Sequence, residues 1–384
     1  MTLNDTNNNN TQYAVLPTFG LSTRDAILIS AFSLIFVVGV VGNCLVCYVF
    51  GSRKSRRRTT TEWLILYLGI VDLLASLFHP PLQIYWAVTK HRVWHFGLIG
   101  CKIIPSIGPI MTSASAGILC LIAIDRFVAI VIPFKGQLTV PTITKAAIAT
   151  ILISALMYAN YIHNLEILEI DEFFKICMVR NISAPSHMIP NLAFILLRLL
   201  LFSTVFVITN VVIFISLKKQ TNKLTLEKIR IQRHRENKRT MRVLYTMGIV
   251  FVVLIYPREL FQLYLNFSWI TGTDGIPITS DMIAINSWLF VMHASNSCAN
   301  VFIYAHMHHI YRTHLIKVIS CFRKQFNDSK ESTEEAHDTY PEERRPRNNS
   351  LSWQMILPRT EDGAFTSVVD PLFHYIQNNE QPER

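Results

Sequence analysis

"AILISAFSLIFVVGVVGNCLVCYVF", residues 26–50, runs the length of a membrane span without a single acid or base. At about 1.5 Å per helical residue it reaches about 37 Å, more than a hydrocarbon core of about 30 Å. A segment in lipid has no water to satisfy its backbone, so it must close its own hydrogen bonds as a helix. The run is too long, and lies too far from the N-terminus, for a cleavable signal peptide.

Outward from it the pattern recurs at 63–88, 102–131, 143–163, 189–217, 239–267 and 281–305. The chain is 51% hydrophobic and only 16% charged, against about 25% charged in a soluble domain. Prolines inside these runs (Pro80, Pro81, Pro105, Pro109, Pro257) are tolerable because neighbouring helices can re-satisfy the freed carbonyls. The expected fold class is therefore all-α, a seven-transmembrane helix bundle over 26–306. A short amphipathic cytoplasmic helix at 307–321 is expected to follow it. The polar segments 1–25 and 322–384 read as a disordered extracellular N-terminus and a disordered cytoplasmic tail.

Orientation follows from charge. "SRKSRRR" (52–58) follows the first run and "KKQTNKLTLEKIRIQRHRENKR" (218–239) the fifth, while the loops after the second, fourth and sixth are not basic. Lys and Arg accumulate on the cytoplasmic side, so the N-terminus is expected outside and the C-terminus inside. The net charge of +10 is then a topology signal rather than a nucleic-acid footprint. The N-x-[ST] triplets at Asn4, Asn9 and Asn181 fall in segments assigned outside and are candidate glycosylation sites. Cys101, at the outer start of the third run, and Cys177, in the second outer loop, face an oxidising compartment. A disulfide tying that loop over the bundle mouth is expected, two free thiols being the alternative. Cys321, just past the amphipathic stretch, is a candidate for palmitoylation.

Polar residues inside apolar runs are candidates for function because lipid-facing positions exclude them. They are Asn43, Asp72, Ser115, Asn296, Ser297 and Asn300. Asn296 and Asn300 are four apart and share a helix face. A carboxylate ringed by hydroxyl and amide oxygens suits a small hard cation such as Na⁺, or a protonated acid in a hydrogen-bond network. Polar glue between helices is the structural alternative. The adjacent acid and base Asp125 and Arg126 fall near the inner end of the third run, about 36 Å from Cys101 at 1.5 Å per residue.

At this point the motifs resemble those of the rhodopsin-like (class A) G-protein-coupled receptors. "GNCLV" (42–46) is similar to that family's GN-x-LV, and "LGIVDLL" (68–74) to its L-x-x-x-D-L. "WHFG" (94–97) followed by Cys101 is similar to W-x-F-G-x-x-x-C, and "DRFVAIVIPF" (125–134) to D-R-[YF]-x-A-I-x-x-P-[FL]. "NSCANVFIY" (296–304) resembles N-S-x-x-N-P-x-x-Y, and Tyr311 stands where an aromatic opens the amphipathic helix. The resemblance implies that Asp72, Ser115, Asn296, Ser297 and Asn300 surround an allosteric sodium ion, with no other cofactor. It implies that Arg126 meets a heterotrimeric G protein when the cytoplasmic face opens, with Asp125 its partner in the closed state. It also implies that Tyr304 swings inward on activation, and that Phe251 and Pro257 keep two positions of F-x-x-C-W-x-P. The chain departs from the family at Val301 for the usual Pro and at Ile255 for the Trp. It also lacks the usual Trp and Pro of span four and the Pro of span five.

Gly108 stands where amine receptors carry an Asp, and Ala294 where opsins carry a Lys, which disfavours monoamines and retinal. Arg198, Arg258 and Glu259, with Gly108, Gln262 and His293, are expected to form a pocket for a carboxylate or a peptide backbone. An internal Arg198–Glu259 bridge is the alternative. The resulting expectation is a plasma-membrane receptor for an extracellular ligand, expected to be a peptide, coupling to G protein. Arrestin would be recruited through a phosphorylated tail (Ser350, Ser352, Thr366, Ser367). A constitutive or weakly coupling receptor, and a transporter or channel, are the competing readings. No H-E-x-x-H or paired mid-depth carboxylate points to an enzyme.

Overall fold

The computed structural model describes residues 22–52, 58–132, 138–171, 174–180, 184–221, 228–271, 280–307, 311–318 and 320. Asn4, Asn9, Asn181, Cys321 and the tail from 321 lie outside the described residues. All described residues belong to one compact unit, Met1–Lys324.

Seven long helices carry the described chain: α1 (Thr23–Gly51), α2 (Thr60–Thr89), α3 (Gly97–Val131), α4 (Val140–Met157), α6 (Pro185–Thr221), α7 (Lys228–Ile270) and α8 (Ser280–Met307). A six-residue α5 (Ala159–Asn164) continues α4 after an interruption at Tyr158. The fourth run therefore holds two helical pieces where the sequence reads one. Residues 311–318 are helical, within the expected amphipathic stretch. Six of the spans, the fourth formed by α4 and α5 together, are long and apolar enough to cross a membrane. α8 falls outside that set because it carries the inward-facing Asn296, Ser297 and Asn300.

Two helices begin in the same way. Ser22 accepts from the Asp25 backbone while Asp25 reaches back to Ser22, and Thr59 and Glu62 repeat this reciprocal cap on α2. Asp25 also binds the ammonium of Lys90, the left-handed C-cap of α2, and so joins the two helices at one end.

The bundle is inverted relative to a water-soluble protein. Leu34, Val41, Leu152, Leu200 and Phe214 are exposed on helix exteriors, while Asn43, Asp72, Ser115, Asp125 and Asn300 are buried. That distribution suits hydrocarbon as the outer solvent, and the protein is a multi-pass membrane protein. One core cluster runs through Val46, Leu64, Leu68, Ile118, Leu119, Leu244 and Tyr304. Small residues bring backbones together, as expected where lipid supplies no hydrophobic drive between helices. A Cβ on Gly42 would lie 2.7 Å from Val301, and one on Gly39 would lie 2.4 Å from the Ser76 hydroxyl. Val301, in the place of the usual proline, is thus the side chain that fills the α1–α8 contact.

The bundle is all-α, and one short hairpin decorates the connection between the fourth and fifth spans. Leu165–Asp171 (β1) pairs antiparallel with Phe174–Val179 (β2), with Ile167 opposite Cys177. Leu165, Cys177 and Val179 turn inward onto Leu82, Trp94 and Cys101, while Glu166–Arg180 and Glu169–Lys175 pair on the outside. This alternation is a half-buried strand signal, but it is far too short to register in a scan for membrane spans. The Cys101–Cys177 disulfide fastens the hairpin to the start of α3.

Candidate functional site

Polar and charged side chains form three groups along the bundle, from the hairpin end to the opposite end. The first lines a cavity of about 440 Å³ beneath the hairpin. Cys177, Met178 and Val179 of the hairpin form part of its wall, with Gln83, Asn191, Gln262 and Asn286 contributing amides. Arg198 on α6 reaches Glu259 on α7 at 2.5 Å and also donates to the Tyr158 hydroxyl. The internal bridge therefore exists, yet Arg198, Arg258 and Glu259 also line the cavity. The two readings of this pair are compatible. Arg258 approaches Glu259 only to 3.8 Å and lies over the Phe290 ring at 4.1 Å.

Two of the expected pocket residues are placed differently. Gly108 does not line the cavity. A Cβ there would sit 2.8 Å from the His79 Cβ, so the missing side chain makes room for His79 on α2. His293 lines a smaller cavity of about 30 Å³ directly below, together with Phe251, Ile255 and Tyr256. Tyr158, Arg198 and Glu259 border both cavities and form the partition between them. Trp86 lines the upper cavity, whereas Tyr85 packs on Trp94 and Phe96, and Trp288 is exposed. The Trp269 side chain lies outside the described residues.

Below the partition is an aromatic block joining α6 to α7. Phe202 stacks on Phe206 at 5.5 Å and meets Phe251 at 4.4 Å. The Tyr256 hydroxyl bonds Ser203 and the Leu199 carbonyl. Ile255, where the family pattern has Trp, is buried in the core beside Phe251. Pro257 lies inside α7, between this block and Arg258. With no N–H it removes one helical hydrogen bond at that point.

The second group is a buried polar node at mid-bundle. Asn300 donates to the Asp72 carboxylate at 2.8 Å, and Ser76 donates to the Asp72 carbonyl. Asn43 on α1 donates to the Ser297 carbonyl at 2.8 Å. Asp72, Ser115, Asn296, Ser297 and Asn300 are all buried, and the Ser115 hydroxyl lies beside the Asp72 carboxylate. A buried carboxylate with hydroxyl and amide oxygens gathered around it fits an oxygen-liganded cation.

The third group closes the end opposite the hairpin. Asp125 accepts from Arg126 Nη2 at 2.7 Å and Nε at 3.1 Å. It also accepts from Thr60 Oγ1 and Thr61 Oγ1, each at 2.6 Å. Sequence reasoning paired Asp125 with Arg126 and missed both threonines. The "TTTE" capping signature at 59–62 was the available signal, since it fixes where α2 begins and what its first turn presents. Tyr304 is fully buried nearby, edge-on to Phe50 and Tyr311. Arg239 on α7 donates to the Met307 carbonyl at the end of α8.

Residues 42–304 match the family described as 7 transmembrane receptor (rhodopsin family). The neuropeptide FF receptor 2 of Mus musculus is 40% identical over 128 residues, 33% of this chain and 29% of that protein. The lysophosphatidic acid receptor 6 of Gallus gallus is 40% identical over 108 residues, 28% of this chain and 33% of that protein. The substance-K receptor of Mus musculus is 26% identical over 294 residues, 75% of this chain and 74% of that protein. The chain thus matches under a third of the neuropeptide FF receptor's length, but three quarters of the substance-K receptor's.

Proposed function

The chain belongs to the rhodopsin family of seven-transmembrane receptors, and from that premise we propose that it carries an extracellular peptide signal to a heterotrimeric G protein. The family is one of receptors, not enzymes. The hairpin end would face outward at the plasma membrane, with the N-terminus outside, and the Arg126 end would face the cytoplasm, as the basic segments imply.

The observation that carries this reading is the amide-lined cavity and the partition beneath it. Peptide backbone needs both donors and acceptors, and Gln83, Asn191, Gln262 and Asn286 supply them. Asn286 Oδ1 and His187 Nδ1 are buried without partners, and both residues line the cavity. An occupant that displaces the Arg198–Glu259 partition would disturb the Phe202–Phe251 contact below it. α7, which carries Phe251, would then be free to move at its far end and uncover Arg126. A ligand that binds this open arrangement better shifts the population toward it. Two relatives bear neuropeptide FF and substance K in their names, which supports a peptide over a small amine. A second-messenger screen of expressing cells against a peptide library tests the reading. At least one peptide should evoke a response absent from untransfected cells. A response confined to lysophospholipids would overturn it.

The closed state rests on Asp125. Converting Thr60 and Thr61 together to valine removes two hydroxyl–carboxylate bonds, each worth about 1.5 kcal/mol or more. Loss of one such bond from the closed arrangement alone shifts the ratio roughly tenfold. With both bonds lost the closed-to-open ratio shifts roughly a hundredfold, so ligand-independent signalling at matched surface expression should rise by roughly that factor, up to saturation of the response. Unchanged basal output would remove the threonines from the switch.

At mid-bundle, Asp72 with Ser115, Asn296, Ser297 and Asn300 would hold a sodium ion, supplying a positive charge that neutralises the carboxylate in the closed bundle. Asp72→Asn should then abolish any sodium dependence of agonist affinity. If that dependence survives the substitution, the cation is held elsewhere.

A further inference from the structure

Among the described residues, and besides its histidines, the upper cavity is lined by three charged side chains, Arg198, Arg258 and Glu259. The wall therefore holds two cations and one anion. The two arginines are not equivalent. Arg198 is satisfied, because it bridges to Glu259 Oε2 and donates to the Tyr158 hydroxyl. Arg258 is not. Among the described residues its closest carboxylate oxygen, Glu259 Oε1, is 3.8 Å away, beyond hydrogen-bond range, and its buried Nε has no hydrogen-bond partner. The Phe290 ring, 4.1 Å beneath it, holds the guanidinium plane. A largely desolvated guanidinium with one face stacked and its donors unspent is poised for an anion.

We propose that Arg258 is the anchor for a carboxylate of the ligand, either the free C-terminus of a peptide or an acidic side chain. The inference rests on the peptide reading above and deepens it. Bound there, the carboxylate would accept from the fork of Arg258 in two parallel hydrogen bonds and restore charge balance in the wall. It would arrive beside Glu259, and the repulsion between the two carboxylates would bear on the Arg198 bridge. Recognition and the disturbance of the partition would thus share one contact. A lysophospholipid phosphate carries suitable charge, but the surrounding amides suit a backbone better than an acyl chain.

The test uses the purified full-length receptor and an isosteric pair of probes, N-acetylphenylalanine and N-acetylphenylalaninamide, at millimolar concentration. The acid should raise the thermal midpoint in a concentration-dependent way and the amide should not. Arg258→Gln should weaken the acid's effect roughly tenfold to a hundredfold. It should leave the fold intact, since Glu259 keeps Arg198 as its partner. Arg258→Lys, with the charge but not the fork, should fall between. Equal effects of acid and amide, or an acid effect undiminished in Arg258→Gln, would overturn the proposal. So would stabilisation by lysophosphatidic acid in place of the carboxylate probe. Failure of the peptide reading is seen separately, in the signalling screen. Peptides that signal equally well as free acids and with every carboxyl amidated would uphold that reading while sinking the Arg258 anchor. Among active peptides, amidating only the C-terminus distinguishes the terminal carboxylate from a side-chain one.

Discussion

Replacing Glu259 by glutamine is expected to lower the stability of the bundle by about 3–5 kcal/mol, the cost of stripping one partner from a buried ion pair. Among the described residues Glu259 is the only acid in the cavity wall, and its side chain is 7% exposed. Without it Arg198 and Arg258 face one another with no counter-charge. Arg198 alone cannot export its charge to water, because Tyr158 and the α6–α7 interface enclose it. Thermal unfolding of purified protein, together with surface expression, measures the loss. The double substitution Arg198→Gln with Glu259→Gln removes both members of the pair and should recover much of it, since neutral partners of similar shape carry little desolvation cost. A single Glu259→Gln variant as stable as the parent would show that the pair does not hold α6 to α7.

The second large effect is on signalling rather than stability. Arg126→Ala should abolish G-protein activation while leaving the stability of the bundle within about 1 kcal/mol of the parent. Arg126 spends its hydrogen bonds on Asp125 alone among the described residues, and Asp125 retains Thr60 and Thr61 when it is gone. The closed bundle therefore loses one ion pair near its mouth, while the open bundle loses the cation offered to the G protein. Agonist-stimulated nucleotide exchange read at equal surface expression decides the matter. Retained exchange would mean that the G protein is engaged elsewhere.

The sequence made the bundle legible because its signal is long-range and redundant. Each run had only to be apolar over a span's length, and the basic segments at 52–58 and 218–239 set its direction. What escaped was short or relational. The hairpin at 165–179 alternates over too few residues to compete with helix-length windows, and the interruption at Tyr158 falls within continuous apolar sequence. Asp72 and Asn300 could be picked out individually, as polar residues in apolar surroundings, and the fold brings them to 2.8 Å. Thr60 and Thr61 could not, because threonine in the first turn of a helix is an ordinary capping residue until a carboxylate from another helix arrives. Gly108 was assigned to the ligand by position, yet its role is to admit His79. A missing side chain reveals its purpose only once the neighbour that fills the space is known.

The reciprocity of binding at the two ends tests the central claim most directly. If the cavity above Arg198–Glu259 and the mouth at Arg126 report one equilibrium, each ligand must change the other's affinity by the same factor, in the range of about 5- to 150-fold. The measurement is the affinity of an activating peptide for the purified receptor with and without nucleotide-free G protein, paired with the affinity of that G protein with and without the peptide. Matching increases in both are expected, and both should vanish in Arg126→Ala. Affinities unmoved by the other partner would contradict a coupled pair of sites and leave the cavity and the mouth as independent features of one bundle.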